Sequence, residues 1–95
     1  MDRIKRSHLD GLIRAINRKT NSPESSYTRT KDGKFTANIG NYHLSGAYGG
    51  VSLHRISNPG GGVEDVFSCG HVPKRDLYNR LRAFLEGLER HNIAT

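Results

Sequence analysis

The sequence predicts an α+β domain in which two helices pack on one face of an antiparallel sheet of three to four strands, in the order α-β-β-β-α. Apolar residues recur with helical spacing near both ends of the chain, and the segment between them alternates as strands do. Eight of the eleven glycines lie within residues 40–70 and mark the turns of the sheet. A chain of 95 residues forms one domain, residues 1–95, with a thin core that a homodimer would enlarge.

The first helix is predicted over about residues 2–19, and the polar residues 21–23, Asn-Ser-Pro, end it. Its core-facing side chains, at the i, i+3, i+4, i+7 spacing of one helical face, are Leu9, Leu12, Ile13 and Ile16. Residues 27–30 favour a strand. Asp32-Gly33 then favours a hairpin turn, because such turns require positive φ angles.

The middle of the chain reads as further strands separated by glycine-rich turns. Residues 35–39 and 40–45 are extended, residues 47–50 reverse the chain, and residues 51–57 and 63–68 form the last two strands. Ile56 breaks the alternation of its strand, so we expect a bulge near Arg55 that returns Ile56 to the core. Residues 58–62, Asn-Pro-Gly-Gly-Gly, form a loop.

The second helix follows Pro73, a residue that suits the first helical position. Its apolar face consists of Leu77, Leu81, Phe84, Leu85 and Leu88. On the outer side, Asp76 with Arg80 and Arg82 with Glu86 have the i, i+4 spacing of ion pairs.

Positive charge is concentrated at the two ends of the chain. The net charge is +5 over residues 1–34, −1 over residues 35–73 and +2 over residues 74–95, and the pI is about 9.9. Such a balance favours anionic partners, with nucleic acid first. Cys69 is the only cysteine, which excludes an intramolecular disulfide and indicates a reducing compartment. With no apolar run long enough for a membrane span or a signal peptide, we expect a cytoplasmic protein without a membrane partner.

The leading hypothesis is a non-enzymatic protein that binds DNA or RNA mainly through phosphates. The predicted contact residues lie on the first helix, in the hairpin turn and at the start of the second helix, where free backbone N–H groups also attract anions. They are Arg3, Arg14, Arg18, Lys31, Lys34, Lys74 and Arg75. The plainer interpretation of the first-helix arginines is a solvated helix face.

The alternative hypothesis is a protein that binds and inhibits a host protein, or that sequesters a small nucleotide. Its contact surface would be the weakly charged sheet face away from the helices, made of Asn41, His43, Tyr48, Ser52 and His54. The triple glycine of residues 60–62 resembles a phosphate-binding loop, but it lacks the Gly-Lys-Ser/Thr ending, so a hairpin connection is the favoured interpretation.

The histidines and the cysteine predict neither a metal site nor catalysis. The spacing of His43, His54, Cys69 and His71 matches no metal-binding signature, and no nucleophile motif accompanies them. The favoured interpretation makes His43 and His54 cross-strand neighbours and Cys69 a small apolar residue. We therefore expect no cofactor.

Two resemblances add to these expectations. The runs at residues 39–44, 46–50, 60–63 and 74–78 resemble a family of small tailed-bacteriophage and prophage proteins, over nearly all of the chain after the first linker. That resemblance implies a viral accessory, counter-defence or host-takeover protein in the host cytoplasm, and it implies no particular activity. The α-β-β-β-α order, with Gly70 before Lys74 and Arg75, is similar to that of double-stranded RNA-binding domains, which implies phosphate contacts at this helix start. Pro73, Tyr78 and Phe84 depart from that pattern.

Overall fold

The protein combines two helices with two small antiparallel sheets. The computed structural model describes residues 3–94, and only the backbone of residues 91–94. In chain order the elements are α1 (Arg6–Lys19), β1 (Tyr27–Arg29), β2 (Phe35–Ala37), β3 (Tyr42–Ala47), β4 (Gly50–Ile56), β5 (Val63–Asp65) and α2 (Lys74–Ala94). The sheets are a two-stranded β1–β2 ribbon, residues 27–37, and a three-stranded sheet in the order β3-β4-β5. The predicted α+β class is confirmed.

The core lies between the two helices and one face of the three-stranded sheet. Its buried members come from α1, β4 and α2, and they are Leu9, Ile13, Ile16, Val51, Leu53, Leu77 and Leu81. Leu44, Phe84 and Leu85 pack against this cluster while remaining partly exposed. The helical spacing seen in the sequence therefore identified the core faces of both helices.

Both helices begin later than the sequence suggested. α1 starts at Arg6, where the Lys5 N–H donates to Nδ1 of His8 at 3.0 Å; Asp2, included in the prediction, lies outside the described residues. α2 starts at Lys74, and the Pro73 carbonyl accepts the Leu77 N–H at 3.1 Å. Pro73 therefore precedes the helix by one residue, where its missing N–H costs nothing.

The outer face of α2 pairs its charges differently from the prediction. Arg80 contacts Asp76 at 3.1 Å, as expected. Glu86, however, pairs with Arg90 at 2.9 Å, while Nη1 of Arg82 lies 3.3 Å from the Tyr78 hydroxyl, to which it donates. Both arrangements keep the four-residue spacing that brings side chains together on a helix.

Two glycines with positive φ shape the ribbon, one in its turn and one at the break that separates it from the larger sheet. The ribbon turn closes through a Gly33 N–H bond to the Thr30 carbonyl at 3.0 Å, and Gly33 has φ +84°. After β2, Gly40 has φ +95°, a conformation that redirects the chain away from the ribbon. This break explains why five strands form two sheets rather than one sheet of three or four.

The register of β4 shows that the bulge expected near Arg55 is absent. Pairing runs without interruption from Ala47↔Gly50 to Tyr42↔Arg55 on one side, and from Ile56↔Val63 to His54↔Asp65 on the other. Ile56 therefore stays on the face opposite the core, because alternation along a strand is preserved. It is buried there beside the Gly40 segment, whose N–H donates to the Ile56 carbonyl at 2.8 Å.

The free edge of β3 is closed by a side chain from α1. The Asn17 carboxamide donates from Nδ2 to the Tyr42 carbonyl at 3.0 Å and accepts the Tyr42 N–H on Oδ1 at 2.9 Å. This pair of bonds replaces the contacts that a neighbouring strand would make. Asn17 is buried, so the clamp also fixes α1 on the sheet.

Replacing Asn17 with Ala should lower the free energy of unfolding by about 1–3 kcal/mol, because two partly buried backbone groups lose their partner. Urea unfolding measures the change. The matched control is Asn79→Ala, an exposed asparagine of α2, for which we expect a change within about 0.5 kcal/mol. Equal effects of the two substitutions would contradict the clamp.

Candidate nucleic-acid interface

The first group of predicted contact residues is exposed, and one of its arginines lies near two carboxylates. Arg3, Arg14 and Arg18 are all exposed, and the two helical arginines lie one turn apart. Arg14 borders a cleft of about 420 Å³ between α1 and β3, and Asp10 and Glu24 border the same cleft. The two carboxylates offset the charge of Arg14, so Arg3 and Arg18 are the more open cations of this group.

The ribbon tip concentrates exposed cations. Lys31 and Lys34 are both exposed in the turn, and the guanidinium of Arg29 reaches back to it: Nη2 lies 3.8 Å from the point where a Cβ on Gly33 would lie. The one carboxylate here, Asp32, accepts a hydrogen bond from the Thr30 hydroxyl. That bond holds the pKa of Asp32 below its ordinary value, although burial acts weakly in the other direction. Asp32 therefore stays ionised, and the tip has a positive surplus only because three cations, Arg29, Lys31 and Lys34, stand against this one carboxylate.

At the start of α2, one cationic side chain is exposed and the other lies near an aromatic ring. Lys74 is exposed, whereas Arg75 is half-buried with its guanidinium carbon 6.0 Å from the centre of the Tyr78 ring. Arg82, one turn beyond Tyr78, lies 5.9 Å from the same ring. An aromatic ring between two guanidinium groups is a favourable cation–π arrangement. Lys74 is thus the side chain of this pair that faces solvent most fully.

The glycine-rich loop is built as a connection rather than as an open anion site. Oδ1 of Asn58 accepts the N–H groups of Gly60 and Gly62, each at 3.0 Å, and the Asn58 carbonyl accepts the Gly61 N–H at 3.1 Å. These are the amides that a phosphate-binding loop would aim at its anion. Because they are already satisfied, the hairpin interpretation is the better one.

The sheet face away from the helices carries a histidine cluster. His43 and His54 are directly paired across β3 and β4, and their ring centres lie 5.9 Å apart. His71 joins them, with its ring centre 5.9 Å from that of His54 and its Nε2 3.1 Å from Oγ of Ser45. The chain reaches this position because Val72 pairs with Val51 alongside β4.

Two residues predicted on that face are not available to a partner. Asn41 is 1% exposed: its Nδ2 donates to the Pro23 carbonyl at 2.8 Å and its Oδ1 accepts the Ser26 hydroxyl at 2.9 Å. Ser52 is completely buried and donates to Oδ1 of Asp65 at 3.2 Å. The expected open positions are thus used for internal bonding, since a sheet face can be covered by loops as well as by helices.

The other members of the predicted partner surface remain accessible. Tyr48 is 100% exposed at the β3–β4 turn, where its own φ of +54° and the +74° of Gly49 give the hairpin geometry that such turns favour. His43 and His54 are half-buried. A partner would therefore meet Tyr48 and the imidazole edges rather than the full predicted set.

Burial and hydrogen bonding shift two titrations in this cluster. Burial of the ring, with a smaller contribution from His54, lowers the pKa of His43. For Asp65, burial acts to raise the pKa, but the Gly70 N–H at 2.8 Å and the Ser52 hydroxyl outweigh it, and the pKa lies below its ordinary value. The arrangement therefore favours a neutral His43 and an ionised Asp65, which lie on opposite sides of His54.

Within residues 3–90, no three side chains of histidine, cysteine, aspartate or glutamate are grouped so that they could hold a metal ion. Cys69 is half-buried, and its Sγ lies 3.5 Å from the Gly70 carbonyl. The cluster of imidazoles and hydroxyls is suited to hydrogen bonding with a polar partner.

Sequence reasoning missed the aromatic face of the ribbon. Tyr27 and Phe35 are 50% and 68% exposed, and Phe35 lies directly opposite Arg29. Aromatic residues in strands are usually core residues, so the pattern gave no reason to place them outside. The available signal was the sequence 27–35, in which aromatic residues bracket Arg29, Lys31 and Lys34.

Comparison with known proteins yields no relative. No family model matches the chain, and neither a curated protein nor a solved structure is significantly similar to it. In the described part of the chain, neither helix has the length and apolar character needed to cross a bilayer.

Acidification should destabilise the fold through His43. Because its pKa in the folded chain lies below the ordinary 6.5, the unfolded chain takes up the proton first as the pH falls. The free energy of unfolding therefore decreases as the pH falls through the ordinary pKa of histidine. It levels off once the pH is below the pKa of His43 in the folded chain. Urea unfolding at pH about 7.5 and about 5.5 measures this decrease.

The variant His43→Gln should lose less stability over this pH range than the wild-type protein. His8→Gln, which removes an exposed histidine of α1 and leaves His43 in place, is the control. The same pH dependence in His43→Gln as in the wild-type protein would show that another group causes the change.

Proposed function

We propose that this chain is a non-enzymatic phage accessory protein that binds nucleic acid, mainly through phosphate contacts. The observation that carries the proposal is a set of exposed lysines and arginines that form no ion pair with a described side chain. Ion pairs between described residues hold Arg6, Arg55, Arg80 and Arg90. Six predicted contact residues are exposed and form no ion pair with any described side chain: Arg3, Arg14, Arg18, Lys31, Lys34 and Lys74.

Phosphate binding is the use that best fits these exposed cations. Each phosphate neutralised by a lysine or arginine releases condensed counterions, and this release favours binding without any reading of sequence. The ribbon tip contributes three exposed cations, Arg29, Lys31 and Lys34, against one carboxylate, Asp32. The start of α2 contributes the exposed Lys74, at the end of the helix where the helix dipole is positive. The resemblance to phage and prophage proteins implies that the partner is met in a bacterial cytoplasm.

The protein should bind DNA or RNA at about 50 mM salt and release most of it by about 200 mM, because counterion release weakens as salt rises. Replacing Lys31 and Lys34 with Gln should weaken binding and reduce the slope of log K against log salt by about 1 for each phosphate that is no longer neutralised. Fluorescence anisotropy with a labelled oligonucleotide measures both quantities.

The matched control is the pair Arg80→Gln and Arg90→Gln, which changes the net charge equally but removes cations already paired with Asp76 and Glu86. It should affect binding much less. Equal losses in both double variants would indicate attraction by net charge alone, and no binding at about 50 mM salt would refute the proposed function.

A second candidate function rests on the histidine cluster. Its contact rings, the half-buried His43 and His54, lie on a sheet face whose strand residues include no lysine or arginine and one carboxylate, Asp65. Such a face suits a host protein or a small nucleotide better than a phosphate backbone. Binding there would make the protein an inhibitor of a host factor, as expected of a counter-defence or host-takeover protein.

Replacing His43 and His54 together with Ala separates the two functions. We expect nucleic-acid affinity to remain while any protein captured from a nuclease-treated bacterial lysate is lost. If the folded double variant instead loses nucleic-acid binding, the interface includes this sheet face and the basic α1 surface is only a solvated face.

A further inference from the structure

We propose that the β1–β2 ribbon binds unpaired bases of single-stranded nucleic acid, with the ring of Phe35 as the surface on which a base stacks. The proposal rests on the function proposed above and names its substrate class. The first observation is an exposed apolar side chain that is not part of the core. Phe35 is 68% exposed and belongs neither to the core cluster nor to the partly buried residues packed against it.

The ribbon gathers its aromatic and cationic side chains on one face. Phe35 is paired with Arg29, and Tyr27 is paired with Ala37, so the four side chains point to the same side. Tyr27 and Phe35 are therefore diagonal neighbours, a relation that keeps side chains about 7–8 Å apart. One face of the ribbon therefore carries two exposed rings, and the Arg29 guanidinium lies near the turn at its tip.

The cations of the tip complement this surface. Arg29, Lys31 and Lys34 lie within a single turn and its first strand, and the carboxylate of Asp32 is bonded to Thr30. A strand crossing the ribbon could place phosphates at the tip while its bases lie on the aromatic face. Single-strand binding proteins combine these same two elements, a cationic path for the backbone and aromatic rings for the bases.

The tyrosine hydroxyl lies against the glycine-rich loop. A Cβ on Gly61 would lie 2.8 Å from the Tyr27 hydroxyl oxygen, and Gly61 has φ +89°. Only a glycine allows this approach. One end of the aromatic face therefore borders the loop, while half of the Tyr27 surface remains exposed to a ligand.

An exposed phenylalanine distinguishes single strands from duplexes. In a duplex the base faces are stacked on one another, and the protein meets phosphates and groove edges. Phe35 offers a face for stacking and no hydrogen bond, so it gains little from a duplex and much from an unpaired base. A second copy of this chain is a poorer occupant, because pairing two ribbons would bring two cationic tips together.

The experiment compares the affinities of the wild-type protein and of Phe35→Ala for two labelled strands. One is a mixed-sequence single strand, and the other has the same length and phosphates but abasic sites throughout. The wild-type protein should prefer the strand with bases, and Phe35→Ala should lose about five- to a hundredfold in affinity for that strand alone. The salt slope should not change, because no phosphate contact is removed.

Three further variants control for packing and charge. Phe35→Trp should retain the preference for bases, and Thr36→Ala, on the opposite face of the same strand, should behave as the wild-type protein. Lys31→Gln with Lys34→Gln should weaken binding of both strands equally. This last variant tests the phosphate contacts separately from the stacking.

The outcomes separate the two proposals. If Phe35→Ala binds both strands as the wild-type protein does while the lysine variant is weakened, base stacking is refuted and phosphate binding stands. Equal or tighter binding of a DNA or RNA duplex also refutes it. No binding of either strand at about 50 mM salt refutes both proposals. A dimer that Phe35→Ala converts to a monomer, with no preference for bases, would assign the ring to self-association.

Discussion

The placement of the ribbon depends on one buried carboxamide. Asn41 donates to the Pro23 carbonyl at 2.8 Å, accepts the Ser26 hydroxyl at 2.9 Å, and through its backbone carbonyl accepts the Ile56 N–H at 3.0 Å. It thereby joins the linker after α1, the base of the ribbon and the last residue of β4. An aspartate at this position would lack the N–H donor to Pro23. A serine has one polar side-chain atom in place of two, so making both side-chain bonds requires an amide.

The two faces of the three-stranded sheet differ in what they carry. Leu53 and Val51 supply the core on the face that the helices cover. The opposite face, one residue out of phase, carries His43 and His54 instead. Because its polar groups also bond internally, as Ser52 does to Asp65, this face is partly a structural network. A partner that used it would have to compete with those bonds.

The sequence predicted the features that depend on local pattern. Helical spacing identified the core faces of α1 and α2, and Asp32-Gly33 identified the ribbon turn, because both signals involve residues a few positions apart. It failed where distant segments decide burial. Asn41 is buried by residues 23–26, and Ile56 keeps the alternation of β4 and is covered beside Gly40. The exposure of Phe35 was also missed, since a separate ribbon and a fourth sheet strand have the same alternation, and only the cations at residues 29, 31 and 34 distinguish the segment.

The ribbon and the histidine cluster differ in how closely they are tied to the fold. Phe35, Lys31 and Lys34 contribute nothing to the core, and the ribbon is joined to the body at its base through hydrogen bonds such as that of the Ser26 hydroxyl to Oδ1 of Asn41 at 2.9 Å. Its side chains are therefore free to serve a ligand. His43, in contrast, is half-buried with a lowered pKa, so its protonation is linked to unfolding. Any partner that favours a charged His43 must overcome that linkage, whereas Lys31 and Lys34 lie exposed in the ribbon turn and form no ion pair with a described side chain.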